Sequence, residues 1–388
     1  MHNNRVAIVG IGETPHSARR PYVNDGELIY DAVTRALNDA NLSIKDIDSV
    51  AIGNMDFFEG HASNNAMLSL YCGANGKPGF KMNTGGTVGS MTVIEGWYQI
   101  ASGMADTCLC IGWEKHDEAT VTPCISTITD PAIDRPFSVG ALSGLAVIAV
   151  DYMTRTGCKV EHAAMVRANA SLNAARNPNA HLRDKYTVED VINARMVLYP
   201  LNLLLVCPTS LGACAIVLAS EEKAKKISRK PVWIKDHQTV HAEYGGAQFG
   251  VNEKRRTSHI QAGETIFKRN HITNPRKETQ VFEMYDPSAY CIPAWMEDFG
   301  ICGIGEGWKM VEKGAITLDG EYPINPSGGV LCTNAIGDSG MLRVAEAALQ
   351  IRGDAGEHQV TREVKQALAS GFGGSYWTDL LLLSKTTD

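Results

Sequence analysis

The sequence lacks several features that would assign the protein to a broad class at once. No run of five or more lysines and arginines occurs, and the formal net charge of the 388-residue chain is -7, so we expect no nucleic-acid partner. No stretch holds 18 apolar residues without a charge, which argues against a membrane-spanning helix. The first residues show neither the layout nor the cleavage site of a signal peptide, and the expected location is cytoplasmic.

Cysteine pairs with the spacing of a metal site are also missing. The ten cysteines stand in apolar or small-residue contexts. The only close pair, Cys108 and Cys110, is separated by one residue and not by the two residues of a zinc-binding Cys-x-x-Cys pair. We therefore expect reduced, buried thiols instead of a disulfide framework, and no metal bound by this chain.

Length and composition favour two compact halves of the α/β class. Hydrophobic residues make up 44% and charged residues 20% of the chain, which is near the average for globular proteins. Short apolar runs alternate with helical patterns, which predicts a mostly parallel sheet covered on both faces. The predicted strands are 6–10, 49–52, 108–112, 212–220, 231–235, 279–285 and 378–384, and the predicted helices are 25–41, 88–103, 295–300 and 341–352.

Two segments interrupt this alternation. Residues 114–200 are richer in polar residues, and we interpret them as an inserted loop region. Within it, the prolines, asparagines and histidines between Asn173 and Asp184 are not expected to pack a core. The charged run 221–226 is predicted to be a solvated turn. We place the boundary between an N-terminal half, 1–225, and a C-terminal half, 226–388, at this turn.

The first glycine-rich stretch, residues 81–90, immediately precedes the predicted helix 88–103. Gly85 and Gly86 would bring backbone N–H groups near the N-terminus of that helix, where negative charge is stabilised. An oxyanion hole is one interpretation of these glycines. A packing loop that needs small residues where two halves or two subunits meet is the other.

The second glycine-rich stretch, residues 325–340, precedes the predicted helix 341–352. It combines Gly328 and Gly329 with an Asn-Pro pair, Cys332 and Asn334 in one connection. Functional residues are concentrated on loops that rigid elements carry. We therefore favour a functional site over a plain connection here.

A tyrosine and an acidic residue follow the predicted strand 279–285. Tyr285 could act as a proton donor or base. The alternative is an interfacial tyrosine, with Asp286 capping the next helix.

Three histidines lie in predicted loops. They are His61, His116 and His358, and a loop histidine is more often solvated than catalytic. Of the three, His61 is retained as a candidate catalytic residue.

Taken together, the two glycine stretches resemble the reactive loops of thiolases. Asn-Pro-Ser-Gly-Gly at 325–329 and Ile-Gly-Asp-Ser-Gly at 336–340 look like the C-terminal half of these enzymes, nearest to the branch related to sterol-carrier and lipid-transfer proteins. The resemblance spans almost the whole chain. Supporting segments are 102–106, 112–115, 210–213, 300–307 and 371–374, the last of which contains Gly373 and Gly374.

The resemblance implies a thiolase-like five-layered α-β-α-β-α fold with two duplicated halves, and a homodimer. It also implies carbon–carbon bond making or breaking beside a thioester, so that coenzyme A is part of the substrate. The nucleophilic cysteine of thiolases matches Gly86, the histidine of their Gly-His-Pro motif matches Asn334, and the cysteine of their last Cys-x-Gly motif matches Gly371. A glycine cannot form an acyl-enzyme, so the usual thiolytic route through this loop is excluded on this alignment.

Two reactions and one non-catalytic role remain open on this resemblance. Thiolytic cleavage of a β-oxoacyl-CoA requires another thiol, for which Cys332 is the first candidate and Cys291 and Cys124 follow. Retro-aldol cleavage of a β-hydroxyacyl-CoA requires none, and a subset of relatives with Tyr-Asp at the position of 285–286 act as such retro-aldolases. The second tyrosine of that subset is not evident near Asn334. The third possibility is a thiolase-like scaffold or an acyl-CoA or lipid carrier without catalysis.

The resemblance also implies a partner. Such retro-aldolases, and benzoylsuccinyl-CoA thiolase, work with a small subunit that carries a zinc ribbon and an OB fold, and this chain is similar in type to their large subunit. Any zinc would then belong to the partner. The aromatic residues Phe57, Phe58, Trp295 and Trp377 could line an acyl pocket, although a core position is the commoner role for each.

Overall fold

The computed structural model describes residues 5–60, 70–132, 134–228, 230–242, 256–374 and 377–387. The candidate His61 lies outside these ranges. The strands are β1 Val6–Glu13, β2 Ser49–Gly53, β3 Gly79–Met82, β4 Thr107–Lys115, β5 Met196–Leu198, β6 Leu201–Asn202, β7 Leu211–Ser220, β8 Val232–His241, β9 Val281–Glu283, β10 Gln366–Phe372 and β11 Trp377–Ser384.

Helices cover both faces of the sheet that most of these strands form. They are α1 Asp25–Ala40, α2 Val88–Ala101, α3 Val121–Ser126, α4 Leu142–Thr156, α5 Val160–Ala174, α6 Val188–Ile192, α7 Glu221–Ile227, α8 Ser258–Arg269, α9 Pro275–Glu278, α10 Cys291–Asp298, α11 Gly307–Glu312 and α12 Ile336–Arg352. Within the described ranges, none of them combines the length and apolar character needed to cross a membrane.

The strand directions repeat between the two halves of the chain. The nine-stranded sheet has the order β3-β2-β4-β7-β1-β8-β11-β10-β9. From β1 outward, two antiparallel pairings are followed by two parallel ones. From β8 outward, two antiparallel pairings are followed by the parallel pair β10–β9 and a parallel bridge between Phe282 and Ile324. The antiparallel pair β1–β8 joins the two series.

The two halves of the sheet pack on opposite sides of one pair of helices, which gives five layers. The side chains show this, because successive residues of a strand face opposite sides of the sheet. In β4, Cys108 and Cys110 pack with α2 and α12, whereas Leu109 and Ile111 pack with α1. In β11, Leu381 and Leu383 face α2 and α12, while Leu380 and Leu382 join the core that contains α8 and α10. Helices α2 and α12 therefore form the middle layer of an α-β-α-β-α arrangement, which confirms the predicted fold class.

Several predictions were wrong. The sheet is not mostly parallel, because five of the eight pairings in the nine-stranded sheet are antiparallel. The run 221–226 is not a turn but most of α7, in which lysines four residues after glutamates form Glu221–Lys225 and Glu222–Lys226 pairs,. The region 114–200 contains helices α3 to α6. Asn173 and Asn177 are buried because their amides donate to Asn325 O at 3.0 Å and Ser327 O at 3.2 Å. The segment after Asn173 therefore packs against the glycine-rich stretch at 325–340.

Candidate active site

The first turns of α2 and α12 lie against each other in the middle layer. A Cβ added at Gly89 would stand 2.6 Å from Met341 N, and one added at Gly340 would stand 2.8 Å from Ser90 N. Both distances are too short for a side chain, so these glycines allow the two helices to touch. Their N-termini bring two helix dipoles to the ends of the two glycine-rich stretches, which favours negative charge there.

Tyr285 reaches this place from the end of β9. Its backbone N–H donates to Ser370 Oγ at 3.1 Å, and its hydroxyl donates to Asn334 Oδ1 at 3.4 Å. The hydroxyl also lies 3.5 Å from the position that a Cβ at Gly86 would occupy. The phenol, which is 4% exposed, therefore lies beside the residue that matches the thiolase nucleophile.

The backbone of β10 occupies the space that a side chain at Gly86 would need. A Cβ there would stand 2.2 Å from Phe372 O, well inside the contact distance of two non-bonded atoms. If Gly86 matches the thiolase nucleophile, as the resemblance implies, the chain lacks the cysteine there and the backbone of β10 leaves no room for its side chain. The hydroxyl of Tyr285 is the side-chain atom nearest to this position, at 3.5 Å.

Asn334 connects Tyr285 with the first turn of α12 and with the segment before β7. Its Oδ1 also accepts from Ser339 Oγ at 3.1 Å, and its backbone N–H donates to Ser210 Oγ at 3.0 Å. Its Nδ2 donates to Cys207 Sγ at 3.3 Å. Sequence reasoning missed Cys207. For Ser210 and Ser339 it had only the segments 210–213 and 336–340 of the resemblance as a signal.

Burial keeps Tyr285 protonated. Removal from water raises the pKa of its hydroxyl well above the ordinary value, and the neighbouring Cys207 raises it further,. A hydrogen bond from Ser339 lowers it without reversing the direction. At neutral pH the phenol is therefore a hydrogen-bond donor and a proton source.

The three cysteines proposed as substitute nucleophiles lie elsewhere. Cys332 is fully buried, and Arg167 Nη1 donates to its Sγ at 2.8 Å. Burial raises the pKa of this thiol, although Arg167 opposes the shift. Burial also raises the pKa of Cys291, while Cys124 Sγ donates to Phe57 O at 3.3 Å. Among the described residues, none of these three thiols forms a hydrogen bond with the Tyr285–Asn334 pair.

The glycines proposed for an oxyanion hole divide into two groups. The backbone N–H groups of Gly85, Gly328, Gly329 and Gly373 already donate to acceptors within the chain. Gly328 and Gly329 have φ angles of 98° and 67°, which favour glycine for conformational reasons. We retain Gly86 and Gly374, the other two members of the predicted set, as donor candidates.

A buried ion pair fixes the glycine-rich stretch 325–340 to α12 and β9. Arg343 Nη1 donates to Glu283 Oε2 and to Ser327 Oγ, the latter at 2.6 Å. Ser327 in turn donates to Glu283 through its backbone N–H at 3.1 Å and its hydroxyl at 2.8 Å. Burial raises the pKa of Glu283 to about 7, while Arg343 opposes that rise. These contacts fix the end of β9, and with it the position of Tyr285 two residues later.

Asp286 holds the same stretch and does not cap a helix. Its Oδ1 accepts from Val330 N at 2.6 Å. A Cβ at Gly329 would stand 2.5 Å from that oxygen, so glycine is required there. Burial raises the pKa of Asp286 to about 7, against the effect of Arg343. The next helix, α10, begins only at Cys291.

Neither described histidine candidate joins the site. His116 is buried with its ring edge-on to Phe58, and burial lowers its pKa to about 3. His358 is not a surface residue, because it is buried against Glu346 at 2.9 Å. Burial lowers the pKa of His358, but Glu346 more than offsets this and the net shift is upward. Both therefore have structural roles.

The remaining candidates are placed as follows. Phe58 and Trp295 are core residues, and Trp295 packs behind Phe372 with ring centroids 4.7 Å apart. Trp377 Nε1 donates to Thr87 Oγ1 near the start of α2. All ten cysteines are unpaired. Across the described part of the chain, no group of three or more histidine, cysteine, aspartate or glutamate residues is arranged to hold a metal ion.

The sequence matches two protein-family models in the order that this architecture requires. Residues 6–168 match the thiolase N-terminal domain, and residues 252–385 match the thiolase C-terminal domain-like family. An acetyl-CoA acetyltransferase of Methanothermobacter thermautotrophicus is 30% identical, over 92% of this chain and 93% of the relative. The chain belongs to the thiolase superfamily.

Further relatives of this thiolase-superfamily chain indicate the branch. A non-specific lipid-transfer protein-like 2 of Caenorhabditis elegans is 29% identical, over 96% of this chain and 94% of the relative. The solved structure of an Ltp2-ChsH2(DUF35) aldolase superimposes with a TM-score of 0.84 at 24% identity and covers 99% of both chains. The structure shows a shared fold, and the lipid-transfer and sterol-carrier relatives place the chain in the branch related to these proteins.

Proposed function

We propose that this chain catalyses the retro-aldol cleavage of a β-hydroxyacyl-CoA. The observation that carries the proposal is the position of the Tyr285 hydroxyl, beside Gly86 and bonded to Asn334. At that point a thiolase would present a nucleophilic cysteine. A neutral phenol transfers a proton and does not form an acyl-enzyme, so the residues fit a reaction without a covalent intermediate.

The reaction has two proton transfers around one bond cleavage. The β-hydroxyl loses its proton, its oxygen forms a carbonyl, and the electron pair of the carbon–carbon bond passes to the thioester as an enolate. The N–H groups of Gly86 and Gly374 and the N-terminus of α2 are suited to stabilise the enolate oxygen. Tyr285 then gives its proton to the enolate carbon, which yields a shortened acyl-CoA and a ketone or aldehyde.

The comparisons support this choice. The structure that superimposes over 99% of both chains is that of an aldolase. The acetyltransferase name of the 30% identical relative supports a CoA thioester as substrate. It also favours thiolytic cleavage of a β-oxoacyl-CoA as the second candidate, and that reaction would require a thiol other than one at position 86.

We also propose that the chain works as a homodimer with a small zinc-ribbon and OB-fold subunit. The name of the superimposed aldolase includes a second component, ChsH2(DUF35). Strand β3 lies at one edge of the sheet and is paired on one side only within the described residues. Phe80 on this strand is 48% exposed. An open edge strand with an exposed aromatic residue suits pairing with a second chain.

The requirement for free coenzyme A separates the two reactions. The purified protein, with any copurified partner, is given β-hydroxyacyl-CoA substrates without free CoA and, separately, β-oxoacyl-CoA substrates with it. The proposal predicts that β-hydroxyacyl-CoA is cleaved at a rate that added CoA does not increase. Cleavage of the β-oxo substrate alone, with CoA consumed, would establish the thiolytic reaction. Turnover of neither substrate would favour the scaffold or carrier role.

A further inference from the structure

We propose that the thiolate of Cys207 is the base that removes the β-hydroxyl proton, with Tyr285 as the acid that protonates the enolate. This inference rests on the proposed retro-aldol function and completes it, because the second tyrosine of the similar retro-aldolases is not evident near Asn334. Cys207 was not among the sequence candidates. The position of its sulfur in the structure carries the assignment.

Cys207 lies against the segment that carries Tyr285. Its backbone N–H donates to Pro287 O at 3.0 Å, two residues after the tyrosine. As a whole residue Cys207 is half-buried, whereas Cys332 and Cys291 are fully buried. Cys207 contacts the site through the side chain of Asn334.

The side-chain amide of Asn334 links the two groups. Its Nδ2 donates to Cys207 Sγ at 3.3 Å, and its Oδ1 accepts from Tyr285 at 3.4 Å. An amide can donate only from nitrogen and accept only at oxygen. This orientation suits a sulfur that accepts and a phenol that donates. A neutral thiol satisfies it, and so does the thiolate that forms from it as the pH rises. A thiol that donates beside a phenolate that accepts would require the amide to turn over.

The proton balance closes within the pair. The thiolate takes the β-hydroxyl proton and becomes a thiol while the carbon–carbon bond breaks. Tyr285 gives its proton to the enolate carbon and becomes a phenolate. A proton then passes from the thiol of Cys207 to the phenolate, and the starting state is restored. No oxidant, reductant or further reactant takes part.

The surroundings of Cys207 make this base dependent on pH. The titratable groups that face it are Asp286, Cys291 and Tyr285. Burial raises the pKa of Cys207 to about 12 and Asp286 adds to the rise, while the hydrogen bond from Asn334 opposes it. The thiolate is the reactive form, and below that pKa its fraction grows about tenfold per pH unit. The cleavage rate should therefore rise with pH across the neutral and mildly alkaline range.

The test compares Cys207→Ala and Cys207→Ser with the unmodified protein, each with its copurified partner, by measuring kcat/KM for β-hydroxyacyl-CoA cleavage between pH 7 and 9.5. We expect a loss of roughly 100-fold or more in both variants and loss of the rise with pH. The serine variant preserves the size of the side chain and so controls for folding. Cys302→Ala, at another half-buried cysteine outside the site, is expected to keep the unmodified profile.

Two outcomes separate this inference from the proposed function. If the unmodified protein cleaves β-hydroxyacyl-CoA and the Cys207 variants keep its rate and pH profile, the base is another group and the retro-aldol function stands. If the unmodified protein cleaves no β-hydroxyacyl-CoA, both proposals fail. The rate of alkylation of Cys207 by iodoacetamide, measured by peptide mass spectrometry, is an independent test. Cys207 should react faster as the pH rises and should be protected by a bound acyl-CoA, and alkylation without such protection would contradict its place in the site.

Discussion

Replacing Tyr285 by phenylalanine is expected to lower kcat for β-hydroxyacyl-CoA cleavage by about 10²- to 10⁴-fold, the usual contribution of a positioned proton-transfer group. The ring keeps its packing, since only the hydroxyl that lies 3.4 Å from Asn334 Oδ1 is removed. KM should change much less than kcat, because the hydroxyl acts on the enolate and not on the bound substrate. Steady-state kinetics of the purified complex measure both values.

The matched control is Tyr290→Phe. Tyr290 is buried in the same hydrophobic cluster as Tyr285, and its hydroxyl has no hydrogen-bond partner among the described residues. Loss of that hydroxyl should leave kcat within about threefold of the unmodified value. A Tyr285→Phe variant that behaves like Tyr290→Phe would remove Tyr285 from the mechanism.

Replacing Arg343 by methionine is expected to lower the free energy of unfolding by about 3–5 kcal/mol, because Glu283 then remains buried without its cation. The loss should grow as the pH rises. Without Arg343 the folded-state pKa of Glu283 moves further above its ordinary value of 4.5, so above that value the folded protein holds a proton that the unfolded chain has lost. Stability therefore falls with rising pH over this window. Denaturant unfolding at pH 6 and pH 8 measures the difference.

The same substitution at Arg352 provides the control, since both arginines lie on α12. Arg352 pairs with Asp39 and Asp354 near the surface, and near-surface pairs contribute about 1 kcal/mol or less. Arg352→Met should cost correspondingly little and should show little change between the two pH values. Equal losses for the two variants would contradict the assigned role of the buried pair.

The fold could be predicted to a large extent because its signals are local. Apolar runs and helical patterns are read from neighbouring residues, and they placed β1, β7, α1 and α2 within a few residues of their observed bounds. Helix α8 was missed because it has only a narrow apolar face in a segment that is otherwise polar. The segment from Asn173 to Asp184 was misread because its asparagines are satisfied by distant backbone carbonyls.

The site was less predictable because its contacts are long-range. Tyr285 and Asn334 were found through the resemblance and not through spacing, and they are 49 residues apart. Cys207 is 127 residues from Asn334, and nothing in its local sequence separates it from the other nine cysteines. Cys332 was favoured because it lies in the glycine-rich stretch, yet its side chain turns to Arg167. Proximity along the chain did not predict proximity in space.

Intact-protein and peptide mass spectrometry during turnover tests the central claim, cleavage without an acyl-enzyme, most directly. The complex is mixed with β-hydroxyacyl-CoA and with β-oxoacyl-CoA, quenched in acid at several times, and examined for acylated peptides while product is measured in the same samples. We predict product from the β-hydroxy substrate with no acyl adduct on any cysteine. A transient adduct on Cys332, Cys291, Cys124 or Cys207, formed and lost at the rate of turnover, would contradict this account and establish a nucleophile relocated from position 86.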